Sequence, residues 1–177
     1  MTGVVIWITG RPSAGKSTLA QAALDALRSE GVTACLLDGD AVRDSLVPQL
    51  GYTTEARVAF YQTLGNLAAL LARQDLVVLV AATAQRREFR ERARALAPAF
   101  VEVWVDTPLD ECVRRDTKGL YAAMRAGSLS GVPGGDQPYE APSRPEVTAH
   151  GGKDDAAIAD LCAKTLRLLH GRTQETR

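Results

Sequence analysis

An α/β fold with a parallel sheet is the expectation the sequence raises. Short apolar runs alternate with longer stretches of helical spacing, and the runs stop at Gly10, Asp38, Ala82 and Asp106. The clearest run is apolar throughout rather than at every second residue, as in strands covered by helices on both faces. Ligands of such sheets bind beyond the carboxyl ends of the strands, so polar groups gathered there are the first place to look for chemistry.

Residues 4–9 open the pattern as a β-branched strand ended by Gly10. Residues 16–29 follow helical spacing, with Leu19, Ala23 and Leu27 on one face. Residues 34–37 read as a second strand, stopped by Asp38-Gly39-Asp40. The spacing predicts a helix over 54–72 with Thr54 as its N-cap. Residues 76–81 form the continuous apolar strand, and 86–96 a strongly basic helix. A strand at 100–105 ends in Asp106-Thr107-Pro108 and leads to a short helix at 109–115. Residues 127–145 hold several Gly and Pro without periodicity, as in a lid or binding loop. Ile158, Leu161, Cys162, Thr165, Leu168 and Leu169 then mark a closing amphipathic helix over about 154–170.

The 177 residues favour one domain, expected over 1–177 with a lid at about 116–145. Lys plus Arg and Asp plus Glu each total 21, so the net charge is zero. That balance gives no electrostatic reason to expect a nucleic acid or a membrane surface as partner. No window has the roughly 18 apolar residues of a membrane helix. The first apolar run is too short for a signal-peptide core, so a cytoplasmic location is expected. Cys35, Cys112 and Cys162 are odd in number and far apart, as buried reduced thiols are. His150 and His170 are too few for a zinc constellation.

Gly10-Arg11-Pro12-Ser13-Ala14-Gly15-Lys16-Ser17 fits G-x-x-x-x-G-K-[ST] at every fixed position. The glycines let backbone N–H groups close around phosphate oxygens, and the following helix adds its positive end. Lys16 reaches the β- and γ-phosphates, and the Ser17 hydroxyl ligates Mg²⁺. The motif therefore predicts a P-loop NTPase-type three-layer fold that binds ATP. A guanine-reading Asn-Lys-x-Asp is missing after Val105, where Asp106-Thr107-Pro108-Leu109 stands instead. A small neutral chain with a Gly/Pro-rich lid favours a small-molecule kinase. Asp38 and Asp40, at a strand end beside the P-loop, suit the orientation or deprotonation of an acceptor hydroxyl.

The sequence resembles the adenylylsulfate (APS) kinases over most of its length. Besides the P-loop, the likeness is carried by Asp38-Gly39-Asp40-Ala41-Val42-Arg43, by Leu50-Gly51-Tyr52 with Arg57, and by Val103-Trp104-Val105-Asp106-Thr107-Pro108-Leu109. Asp116-Thr117-Lys118-Gly119-Leu120-Tyr121 and Asp136-Gln137-Pro138-Tyr139-Glu140-Ala141-Pro142 complete it. The resemblance implies transfer of the ATP γ-phosphoryl group to the 3′-hydroxyl of adenylylsulfate, with Mg²⁺, by a homodimer. It implies catalytic roles for Lys16, Asp38 and Asp40, and a metal site at Ser17 and Asp40. Gly10, Ser13, Ala14, Gly15, Lys16, Ser17, Thr18 and Arg115 would hold ATP. Arg43, Arg57, Phe60, Lys118 and Val132 occupy acceptor-site positions. A same-scaffold kinase with another nucleotide conjugate or small anionic acceptor is the alternative, and a binding module without turnover a third.

Departures from the family pattern cluster in the acceptor pocket. Phe60 stands where a substrate-binding asparagine is expected, and Gln62 where an arginine is usual. Thr83-Ala84-Gln85-Arg86-Arg87 replaces an Ile-Ser-Pro-Tyr/Phe-Arg run. Val132 replaces the lid aromatic that stacks on the substrate adenine. The basic run Arg86, Arg87, Arg90, Arg92 and Arg94, with Glu88 and Glu91 interleaved, reads as a solvated helix face. Arg86 or Arg87 is its candidate for an anion contact.

Overall fold

The computed structural model describes residues 3–171; residues 1, 2 and 172–177, the ends of the expected domain, lie outside the described residues. Five strands, β1 (Val4–Thr9), β2 (Ala34–Asp38), β3 (Val77–Ala81), β4 (Phe100–Val105) and β5 (Val147–Ala149), form one sheet among the described residues. Their order is β2-β3-β1-β4-β5, and every pairing is parallel. The central strand β1 is buried along its whole length because both of its faces are covered. Val4, Ile6 and Ile8 face α1 (Lys16–Ser29) and α7 (Asp155–Gly171), packing with Leu19, Leu27 and Leu161. Val5 and Trp7 face α3 (Thr54–Ala72) and α4 (Arg87–Leu96), packing with Leu64 and Phe89. Each fully buried Val, Ile or Leu contributes about 1.5–3 kcal/mol, so this central sandwich dominates the stability. Gly65 on α3 lets α4 come close: a Cβ there would stand 3.3 Å from the Ala93 Cβ.

Three elements escape the sequence reading. Asp38 ends β2 and also caps a helix, α2 (Gly39–Ser45), by accepting the Asp40 and Ala41 N–H groups. The six-residue α6 (Leu120–Arg125) and the three-residue β5 are too short to carry a period. The cap of α3 is Thr53 rather than Thr54, its hydroxyl accepting the Ala56 N–H at 3.2 Å. From 127 to 145 the chain has neither helix nor strand, in line with the loop expectation.

The solvated-face reading of the basic helix is corrected at Arg90, which is 1 % exposed. Its Nε donates to Glu102 Oε1 at 2.7 Å, Nη1 to the Ala84 carbonyl at 2.5 Å and Nη2 to the Glu140 carbonyl at 2.7 Å. One guanidinium thus joins α4 to β4, to the loop after β3 and to the end of the 127–145 loop. Arg94 adds a two-pronged pair with Glu146 at 2.7 and 2.9 Å, which also helps hold the Glu146 carboxyl below its ordinary pKa against the opposing effect of burial. Replacing Arg90 with methionine leaves two carbonyls without their donor and Glu102 with only the more distant Arg94 at 3.6 Å, and is expected to cost about 3–5 kcal/mol in urea unfolding. A loss under about 1 kcal/mol would return Arg90 to the role of an ordinary helix residue.

Candidate active site

The loop from Gly10 to Ser17 joins β1 to α1 (Lys16–Ser29). Gly15 has φ 104°, and a Cβ on it would stand 2.6 Å from the Gly152 backbone nitrogen, so glycine is required on two counts. Ala14 turns its methyl into the core, and its carbonyl accepts the Thr107 hydroxyl at 2.7 Å, with Arg115 Nη1 at 3.5 Å. The Arg11 carbonyl accepts Lys16 Nζ at 2.8 Å. These carbonyls are tied off from behind, while α1 begins with no side-chain cap on its first N–H groups. Uncapped N–H groups at a helix start, with an ammonium beside them, form an anion cradle. Burial, and next the nearby Lys118 charge, push the Lys16 ammonium down to a pKa of about 8.

Ser17 Oγ donates to Asp38 Oδ2 at 2.6 Å, so a hydroxyl and a carboxylate meet at the rim of the cradle. Asp38 is fully engaged, its other oxygen accepting Asp40 and Ala41 N–H groups at 3.0 and 3.4 Å. Asp40, one helical step on, pairs instead with the Lys118 ammonium. The Ser17 hydroxyl thus meets Asp38, while Asp40, its expected partner in a metal site, is paired with Lys118.

Arg43 and Arg57 line a recess of about 320 Å³ with Ser13, Lys16, Asp40 and Lys118. Arg43 is 7 % exposed, and its Nη1 donates to the Leu50 and Gly51 carbonyls at 3.2 and 2.9 Å. Arg57 bridges two loops, from Nε to the Tyr52 carbonyl at 2.9 Å and from Nη2 to the Gly131 carbonyl at 2.7 Å. Burial is the main cause that lowers its pKa. Phe60 and Val132, both 2 % exposed, also line this recess. Arg86 and Arg87 do not line it: Arg86 pairs with Glu88 at 3.0 Å, and Arg87 Nε donates to the Ala141 carbonyl at 2.8 Å.

A second recess opens on the other flank of the P-loop, lined by Gly15, Thr18, Arg115 and residues 150–155. Gly15 and Thr18 belong to both recesses, so two ligands placed in them would meet at the loop.

The model of the family "Adenylylsulphate kinase" matches residues 2–150. The chain belongs to the adenylylsulphate kinase family. It is 45% identical over 167 residues to the adenylyl-sulfate kinase of Aeromonas salmonicida, covering 93% of this chain and 85% of that protein. It is 46% identical over 168 residues to the bifunctional enzyme NodQ of Azospirillum brasilense, covering 94% of this chain and 27% of that longer protein. Among solved structures, the Mycobacterium tuberculosis APS kinase CysC, in complex with AMPPNP and APS, superposes with a TM-score of 0.81. That pair is 35% identical over 95% of this chain and 98% of the other.

Several contributors to the site are given no role by the sequence reading, although Arg11, Asp136 and Tyr139 fall within its motifs. Residues 150–155 become a wall only because Asp154 accepts the His150 and Ala157 N–H groups, folding the turn into α7 (Asp155–Gly171) against Gly15. Arg11 lies 5.6 Å from the Tyr139 ring, tying the P-loop to the end of the lid. Asp136 accepts the Gly131 and Val132 N–H groups at 2.8 and 2.6 Å, which lowers its own pKa and fixes the turn opposite Arg57. Arg11 and Tyr139 are far apart in the sequence, and their meeting is decided by the fold.

Proposed function

We propose that this chain transfers the γ-phosphoryl group of ATP to the 3′-hydroxyl of adenylylsulfate. The observation that carries the reading is the pair of recesses sharing the P-loop, one lined by Arg115 and residues 150–155, the other by Asp40, Arg43 and Arg57. ATP takes the first, with its phosphates in the cradle; the acceptor takes the second. Positioning and charge stabilisation then do most of the chemistry, without a covalent intermediate.

Asp40 orients the acceptor hydroxyl and takes its proton, because Asp38 spends its oxygens on Ser17, Asp40 and Ala41. Lys16 holds the transferring phosphoryl group in its cradle, and Lys118 releases Asp40 when the acceptor enters. Among the described residues no three His, Cys, Asp or Glu side chains gather as a metal cage. Mg²⁺ takes one or two protein oxygens and completes its shell with phosphates and water. The Ser17 hydroxyl, with Asp38 and Asp40 nearby, would hold it; when bound, it neutralises charge between the β- and γ-phosphates.

We read the chain as one kinase domain with its lid at 116–145, working in the cytoplasm as a homodimer. No helix among the described residues is long and apolar enough to cross a membrane. The deciding experiment is ADP formation from ATP and Mg²⁺, with and without adenylylsulfate. Acceptor-dependent turnover is expected; ATP binding without stimulation would move the scaffold to another acceptor.

A further inference from the structure

The acceptor recess has three rings in its wall, Tyr52, Phe60 and Tyr61. Tyr61 is committed to the core: it stacks on Phe89 at 4.8 Å, meets Phe60 edge-on at 5.2 Å, and its hydroxyl accepts the Ala84 N–H. Phe60 carries the Arg43 guanidinium at 3.8 Å from its centroid, and Tyr52 meets the same guanidinium at 4.6 Å. Contact with two rings and two carbonyls fixes the plane of that side chain. Among the described residues Arg43 Nε and Nη2 have no hydrogen-bond partner, so they remain available for an anion. Only Tyr52, 65 % exposed, has ring surface left to offer a base.

The opposite wall, from the lid, is poor in groups that read base edges. From Leu129 to Pro133 its one polar side chain is the Ser130 hydroxyl. The backbone there is already used. Gly131 and Val132 give their N–H groups to Asp136, the Gly131 carbonyl accepts Arg57, and the Val132 carbonyl accepts Gly135 and Gln137. Pro133 has no N–H to give. Strong rejection of a wrong group needs polar atoms that would be left unpaired by it, and this wall supplies few.

We propose that the acceptor site selects its substrate by the anionic group, through a guanidinium pinned by Phe60 and Tyr52, and is permissive toward the base. The substrate class is then a nucleoside 5′-phosphate conjugate with either a purine or a pyrimidine. This rests on the reading of the recess as the acceptor site. Phe60 is a positioning residue, acting through Arg43.

The test is calorimetry with the P-loop saturated by AMPPNP, titrating AMP, GMP, CMP, UMP and adenosine. Dissociation constants of the four nucleotides are expected within about fivefold of one another, and adenosine at least about twentyfold weaker. Phe60→Leu keeps the apolar bulk but removes the ring, and is expected to weaken all four nucleotides by about tenfold while AMPPNP binding stays the same. Phe60→Tyr, which keeps the ring, should restore them. AMP preferred over CMP and UMP by more than about fiftyfold would overturn the proposal, as would no binding by any nucleotide or an indifferent Phe60→Leu. The readout is independent of turnover. Nucleotides that bind alike, in an enzyme that adenylylsulfate fails to stimulate, support this inference and count against the adenylylsulfate reading alone.

Discussion

Lys16→Ala is expected to lower kcat by at least about 10³-fold while leaving the protein folded. The ammonium stands beside the uncapped N–H groups at the start of α1, whereas Arg11 of the same loop turns to the Thr107 carbonyl and the Tyr139 ring, so loss of Lys16 removes charge where the transferring phosphoryl group sits. A general collapse of the structure would give the same loss of rate, and thermal unfolding separates the two. In the folded, ligand-free chain the ammonium pKa falls from 10.5 to about 8, chiefly through burial. Below about pH 8 the folded protein therefore carries a charge it would rather not hold. Between about 8 and 10.5 the unfolded chain binds a proton that the folded chain does not, so stability rises with pH across that window. Lys16→Ala should abolish this rise and leave the Tm near neutral pH no lower than before. A variant with a sharply lower Tm, or with near-normal kcat, would remove Lys16 from the chemistry.

Asp40→Asn is expected to cost about 10²–10⁴-fold in kcat with ATP affinity nearly unchanged. The amide keeps the shape and one acceptor oxygen but cannot take a proton from the acceptor hydroxyl or form an ion pair with Lys118. Asp38→Asn is the informative contrast. Asparagine caps a helix as well as aspartate does, so α2 survives the change. What disappears is the charge beside the Ser17 hydroxyl, and the expected effect is a higher Mg²⁺ requirement rather than a lost base. If Asp40→Asn turns over normally while Asp38→Asn does not, the two roles are exchanged.

The P-loop was legible because its chemistry dictates both residue type and spacing: Gly15 must tolerate φ 104°, and Lys16 and Ser17 must follow it at once. Asp38 reads in the sequence as the end of a strand and a candidate catalytic carboxylate, and its use as the cap of α2 goes unseen; a short carboxylate accepting nearby N–H groups serves turns and helix caps alike, so local sequence does not separate them. Arg90 was misread for a different reason. Its interleaved charges imitate a wetted helix, and the partners that bury it, Glu102 and the Glu140 and Ala84 carbonyls, come from elements the helix pattern does not mention. The recess at 150–155 had no motif at all, being made of backbone, a capping aspartate and the position of α7. The family resemblance places Phe60 in the acceptor site, but the seating of its ring under Arg43 depends on how α2 and α3 pack.

The contact between Gly15 and Gly152 also orders events in time. A ribosome delivers the phosphate-binding motif at 10–17 long before the wall at 150–155 that closes against it. The sheet reaches the same point last, since its β5 edge lies at 147–149. A nascent chain thus carries a readable signature long before it carries a nucleotide site. Nucleotide affinity becomes a report on whether residues 150–155 have joined the loop at 10–17.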